Sequence, residues 1–292
     1  MMKKKGLWAA TLALLVCCGV WGLGFRLPVR PVFPAPQDVP SADELFQKPW
    51  TERPVLLVGL GDSVTAGFGA SPGKSYVDRL QAALKPVLPN LKTLNLAVSG
   101  STSLQHLALE IPKLPPQPPE VLGLIVMTSG GNDLIHDYGR TPPREGAMYG
   151  AGTAEARPWI QAYETRLGTM LDRIQVTFPG GCHVFVADIY DPTDGKGDLE
   201  RAGLPAWKDA PALLEAYNRV IARTVVARPG VHLVGMHEVF LGHGIHCGWG
   251  PGYRDHPGHW YNPNFEDPND HGYEALSRLF LREIAKAIHN PA

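Results

Sequence analysis

Hydrophobic positions follow two different rhythms in this chain, and their alternation gives the architecture. Short apolar runs almost free of charge recur at Val55–Leu60, Thr93–Val98, Val121–Met127, His183–Asp188 and Val231–Met236. Runs of that length suit strands buried on both faces of a parallel sheet. Between them apolar residues return every third or fourth position, as in Tyr76, Leu80, Ala83 and Leu84, or Tyr163, Leu167, Met170, Leu171 and Ile174. That spacing predicts helices with one buried face. Further helices are expected over Leu104–Ile111, stopping at Pro112, over Leu213–Val225, and from about Pro268 to His289. Five buried strands alternating with amphipathic helices predict a three-layer αβα fold, its crossovers right-handed. Each loop that follows a strand then opens on the same edge of the sheet, where α/β folds place ligands.

Two segments lie outside this pattern. Lys3, Lys4 and Lys5 precede an uncharged run from Gly6 to Phe25, the arrangement of a basic head and an apolar targeting core. At ~20 residues the run is long enough to remain as a membrane anchor, while Gly22-Leu23-Gly24 resembles a processing site. Residues 1–25 are therefore expected to be a signal peptide or signal anchor, and the lysines mark the inner side, so the domain is exported: periplasmic, secreted or tethered. From Leu27 to Pro54 seven prolines and no sustained apolar period predict a Pro-rich linker over residues 26–54. The remaining 55–292 form the folded domain, and membrane contact is expected only through the amino-terminal segment.

Charge removes one class of partner. Lys and Arg total 27 against 28 Asp and Glu, which leaves no basic face to recommend nucleic acid. The 32 Gly and 28 Pro point to long surface loops over a regular scaffold, and such loops carry specificity.

The candidate chemistry begins where the first strand stops. Gly61, Asp62 and Ser63 follow the apolar run directly, delivering a hydroxyl to the carboxyl end of a buried strand. Asn95-Leu96-Ala97-Val98-Ser99-Gly100 follows the second run and Gly130-Gly131-Asn132-Asp133 the third. With Gly61-Asp62-Ser63-Val64, these three blocks in order resemble the SGNH, or GDSL-type, esterase and lipase family over nearly all of the chain after Val55. The resemblance implies a flavodoxin-like sheet of order 2-1-3-4-5. It also implies that Ser63 attacks an acyl carbonyl to form an acyl-enzyme, with the oxyanion held by the Ser63 and Gly100 backbone N–H groups and the Asn132 amide, and with no metal or cofactor. A serine hydroxyl needs a base within hydrogen-bond reach, and the oxyanion needs donors fixed in advance. The substrate is expected to be a small-molecule, lipid or carbohydrate ester.

The base is where the chain departs from the family. Members carry Asp-x-x-His-Pro-Asn before their last helix, whereas this chain reads Glu266-Asp267-Pro268-Asn269, with Asp267 in the position of the histidine. His246, in His243-Gly244-Ile245-His246, is the expected base, with Asp267 capping the helix and orienting the imidazole. His271 is the rival, then His259 or His256. A histidine in the first turn of a helix is disfavoured because the dipole opposes its protonation. Two alternatives stand beside the hydrolase: a metal site built from His243, His246, Cys247, His256 and His259, and a carbohydrate or cell-wall binding module on an inactive scaffold.

Overall fold

The computed structural model describes residues 49–247 and 258–289. Strands β1 (Val55–Gly61), β2 (Leu91–Asn95), β3 (Leu122–Thr128), β4 (Cys182–Ala187) and β5 (Val231–Val234) form one parallel sheet of order β2-β1-β3-β4-β5. The period of two along each strand divides the core. Val55, Leu57, Leu124, Val126 and Phe185 face the helices Tyr76–Leu84 and Asp270–His289, while Val58, Leu60, Ile125, Met127 and Val184 face Thr153–Thr177 and Ala210–Val226. This is the expected αβα sheet, with β1 an interior strand between β2 and β3 and its carboxyl end leading into Ser63.

Several boundaries moved for local reasons. The second run pairs from Leu91 rather than Thr93, and its tail stays attached past the regular strand: Leu96 N donates to Gly59 O and Val98 N to Gly61 O, both at 2.9 Å. The helix expected over Leu104–Ile111 is instead a short turn Ser103–Gln105, a π turn His106–Glu110 and a 3-10 turn Ile111–Lys113. Pro112, lacking an N–H, cannot continue an α ladder. β5 stops at Val234 because Asp188 Oδ1 caps a short helix, Met236–Phe240, accepting Met236 N and His237 N at 2.6 Å each.

Asp267 does not cap the last helix. Asn269 does, its Oδ1 accepting His271 N at 3.0 Å and Gly272 N at 3.1 Å, so the helix starts at Asp270.

The expected targeting segment and most of the expected linker lie outside the described residues. The linker's end is already docked on the domain. Trp50 N donates to Val87 O at 2.8 Å and its ring packs on the core. Arg53 clasps three backbone carbonyls with its guanidinium, those of Glu120, Pro119 and Gly180, at 3.2, 3.4 and 2.9 Å. The folded part therefore begins before Val55. Among the described residues no helix is long and apolar enough to cross a membrane.

Candidate active site

Ser63 is the first residue of a single helical turn, Ser63–Ala66, entered through Asp62 and closed by Gly67 at φ 83°. Two features force the turn. Gly61 has φ 121°, and a Cβ there would lie 2.0 Å from Thr128 O, so only glycine fits. Asp62 Oδ1 caps the turn, accepting Val64 N at 3.2 Å and the Thr128 hydroxyl at 2.7 Å. Asp62 is buried, and that burial pushes its carboxyl up to about 6. Because Thr128 spends its hydrogen on Asp62, Thr65 must donate to Thr128 and Tyr76 to Thr65, each at 2.7 Å. Beneath Ser63 the hydroxyls thus run in one direction, ending on a carboxylate.

The expected oxyanion donors lie at the same edge. Gly100 has φ 80°, is exposed, and has no atom within 4 Å of where a Cβ would stand, so its backbone is open to a ligand. Asn132 lies in the turn after β3 and donates one amide N–H to Ser101 O at 2.9 Å. That bond ties the third block to the second. A second tie is Asp133, fully buried, which accepts Ser103 N at 2.8 Å and the Ser103 hydroxyl, while Arg166 Nε donates to Ser103 Oγ at 2.8 Å.

Behind these loops the π turn brings His106 and Glu110 onto its buried side. Glu110 Oε2 accepts Gly61 N at 2.9 Å, holding the end of β1. Ser101 Oγ donates to Val98 O at 2.7 Å, so His106 Nε2, 2.9 Å away, is the donor to it. His106 Nδ1 then accepts from Ser129 Oγ at 3.0 Å. Burial lowers His106 to about 3 and raises Glu110 to about 7. Neither residue belongs to any motif that the sequence offers.

The hydrogen bonds described for His246 run to the loop after β4 and not to Ser63. Asp194 gathers the backbone of its segment, accepting Gly242 N and Gly244 N on Oδ1 and His246 N on Oδ2 at 2.8 to 2.9 Å. So oriented, the His246 ring meets Asp198 Oδ1 at 2.8 Å and Arg201 at 3.1 Å. His271 is exposed on the last helix. His259 is buried with Nδ1 3.6 Å from Cys247 Sγ, and His256 lies outside the described residues. His243 stacks on Trp260 at 3.5 Å between ring centroids. Among the described residues no group of three His, Cys, Asp or Glu is placed to hold a metal ion.

Asp267 is the group that faces Ser63. It is 3% exposed, and burial raises its pKa while the Ser63 hydroxyl and the Asn264 amide favour its charged form. Oδ2 accepts Asn264 Nδ2 at 2.9 Å; Oδ1 is buried and has no partner at full hydrogen-bonding geometry. Ser63 approaches the carboxylate without completing that bond. Asn264 lies three residues before Asp267. Its signal was the spacing, Asn264-x-x-Asp267 standing where the family has Asp-x-x-His.

Ser63 opens on an apolar cleft of about 1150 Å³, counted out to solvent. Ile135, Ile189, Leu199, Leu204, Trp207 and Leu214 line it. Its wall is tied by Trp207 Nε1 donating to Ala151 O at 2.8 Å and Tyr149 OH to Pro205 O at 2.5 Å.

The GDSL-like Lipase/Acylhydrolase family matches residues 60–275. Among solved structures, a lipase from a goat rumen metagenome aligns over 77% of this chain and 95% of its own, with 18% identity and a TM-score of 0.53. A member of the lipolytic G-D-S-L family from Veillonella parvula aligns over 77% and 95%, at 12% identity and a TM-score of 0.51. A phospholipase A1 from Streptomyces albidoflavus aligns over 81% and 99%, at 18% identity and 0.50. At these identities the likeness is one of fold. Among curated proteins nothing matches.

Proposed function

This chain belongs to the GDSL-like lipase/acylhydrolase family and is a serine ester hydrolase, and from that premise we propose that Ser63 is its nucleophile and that its substrate is an ester with an extended apolar group. The observation that carries the reading is the position of Ser63. It sits on a forced turn at the carboxyl end of β1, an interior strand, with the open Gly100 backbone and the Asn132 amide at the same edge and an apolar cleft beside it.

In the reaction Ser63 Oγ bonds to the acyl carbon as its proton leaves to a base, and the carbonyl electrons move onto oxygen. The Ser63 and Gly100 N–H groups and the free N–H of Asn132 meet that charge. Collapse expels the alcohol, which takes the proton, and water then repeats the sequence to release the acid. The cleft has few polar atoms to satisfy a sugar's hydroxyls and much surface that an acyl chain would cover, at ~25 cal/mol per Å² of apolar area. Lys3–Lys5 and the apolar run to Phe25 support an exported enzyme.

The test is a series of p-nitrophenyl esters of increasing acyl length, with a fluorophosphonate probe. We expect turnover that rises with chain length, labelling that depends on Ser63, and loss of both in Ser63→Ala at an unchanged melting temperature. Because Asp267 occupies the histidine's place, a binding module on an inactive scaffold is the second reading. Folded wild-type protein that neither labels nor hydrolyses any ester of the series, but is retained on insoluble polysaccharide or cell wall, would favour it.

A further inference from the structure

We propose that Asp267, oriented by Asn264, is the general base for Ser63 and replaces the histidine of the family's signature. The proposal rests on Ser63 being the nucleophile. Its geometry is that of a base awaiting a proton. Asp267 is 3% exposed, its Oδ2 is held by Asn264 Nδ2 at 2.9 Å, and its buried Oδ1 has no partner at full hydrogen-bonding geometry while Ser63 faces the carboxylate.

The orientation of Asn264 is not free. Its Oδ1 accepts Glu266 N at 3.2 Å and Asp267 N at 3.4 Å, which leaves Nδ2 as the atom turned to the carboxylate. A flipped amide would set oxygen against oxygen. The amide therefore performs for Asp267 what a carboxylate performs for histidine: it fixes one atom of the base and leaves another for the nucleophile.

Charge explains why both residues change together. An aspartate behind a neutral histidine carries −1 before proton transfer and 0 after it, as the imidazolium forms beside the carboxylate. An asparagine behind an ionised aspartate also carries −1 before and 0 after, as the carboxylate becomes a carboxylic acid. The pair Asn264–Asp267 thus presents the same charges to the reaction. An aspartate at both positions would add a repelled charge, and an asparagine behind a histidine would leave the imidazolium without its counter-charge.

The steps balance. Asp267 Oδ1 takes the Ser63 proton as Oγ bonds to the acyl carbon, then returns it to the departing alkoxide. In deacylation it takes a proton from water, whose oxygen bonds to the acyl carbon, and returns that proton to Ser63 Oγ. A free aspartate, near 3.9, is a weak base for this work. Burial corrects it in the useful direction, raising Asp267. The groups around it add to that or are neutral: Asp62 from the turn after β1, Glu266 beside it, Tyr138 from the loop after β3, Tyr190 from the loop after β4 and Tyr273 from the last helix. The acid limb belongs to this set of carboxyls jointly.

The experiment is the pH dependence of kcat/KM on a short-chain p-nitrophenyl ester, measured for wild type with and without an organic cosolvent, and activity for Asp267→Asn, Ser63→Ala, His246→Ala, His256→Ala and His271→Ala. A neutral acid such as a carboxyl titrates higher as the medium becomes less polar, whereas an imidazolium does not. We expect the wild-type acid limb to move up in cosolvent, Asp267→Asn to lose ~10² to 10⁴-fold with a native melting curve, and the histidine variants to stay within a few-fold. Should Asp267→Asn fail to fold, the cosolvent shift on wild type decides. The proposal is overturned by a limb that stays or moves down, by Asp267→Asn within about tenfold of wild type, or by loss of activity in any of the three histidine variants. Activity surviving in Ser63→Ala would instead remove the nucleophile, and with it the reading on which the proposal rests.

Discussion

An amide nitrogen has two hydrogens, and at Asn132 the first is committed to Ser101 O. The second is thereby fixed in the plane of the group, which is the preorganisation an oxyanion donor needs. Removing it in Asn132→Ala should lower kcat by ~10² to 10³-fold with little change in KM, because the charge it meets exists only in the transition state. Steady-state kinetics on one ester measure the split; a change in KM alone would make Asn132 a substrate-binding residue. Asp133→Asn should give a milder version of the same effect, since it loosens the Ser103 and Arg166 contacts behind the donor. The placement of Ser63 and Asn132 at one edge was legible in the sequence because each closely follows a buried strand, while Gly100 follows the half-exposed edge strand β2 by five residues. The base we propose was not legible in that way. Its position depends on where two irregular loops point, and the carboxylate of Asp194 that turns His246 aside is not announced by any spacing.

At the scale of elements, the π turn His106–Glu110 trades regular helix geometry for two buried ionisable groups. The carboxyls of Glu110, raised from 4.5 to about 7, and Asp62, raised from 3.8 to about 6, bind protons more tightly in the folded chain than in the unfolded one. Each therefore adds stability below its ordinary value, and loses it as pH rises through about 7 and about 6. His106, lowered from 6.5 to about 3, acts oppositely: its contribution is complete above 6.5 and is lost as pH falls toward 3. Glu110→Gln keeps an oxygen for Gly61 N but cannot ionise. Relative to wild type its melting temperature should rise between pH 5 and pH 8, by an amount on the order of 2 kcal/mol in stability; thermal melts at the two pH values read it, and a difference independent of pH would mean that Glu110 is ionised at little cost. Such irregular turns are the part of the fold that periodicity misses, because a turn widened to π geometry and stopped at Pro112 has no repeat to detect.

For the whole molecule, the cleft and the point of entry lie at opposite ends of the sheet. Leu214, on the helix Ala210–Val226, lines the cleft, and Leu214→Trp should fill part of it. Long acyl esters should then lose about tenfold or more in kcat/KM while acetyl esters are spared. An equal loss on both would place the acyl chain elsewhere. The five strands were legible from alternation and their order from the family resemblance, whereas the cleft was not, being assembled from loops whose walls depend on long-range bonds such as Trp207 to Ala151.

The Arg53 clasp has a mechanical consequence. Whatever precedes residue 49 joins the domain beside that clasp, at the start of β1, and β1 is hydrogen-bonded along its length to β2 on one side and β3 on the other. Tension arriving from the amino terminus would run parallel to the strand, so both ladders would be loaded in shear, all bonds together, instead of being unzipped one at a time. The three carbonyls held by Arg53 would yield first. Ser63, at the far end of the same strand, is the residue that such a pull would disturb last.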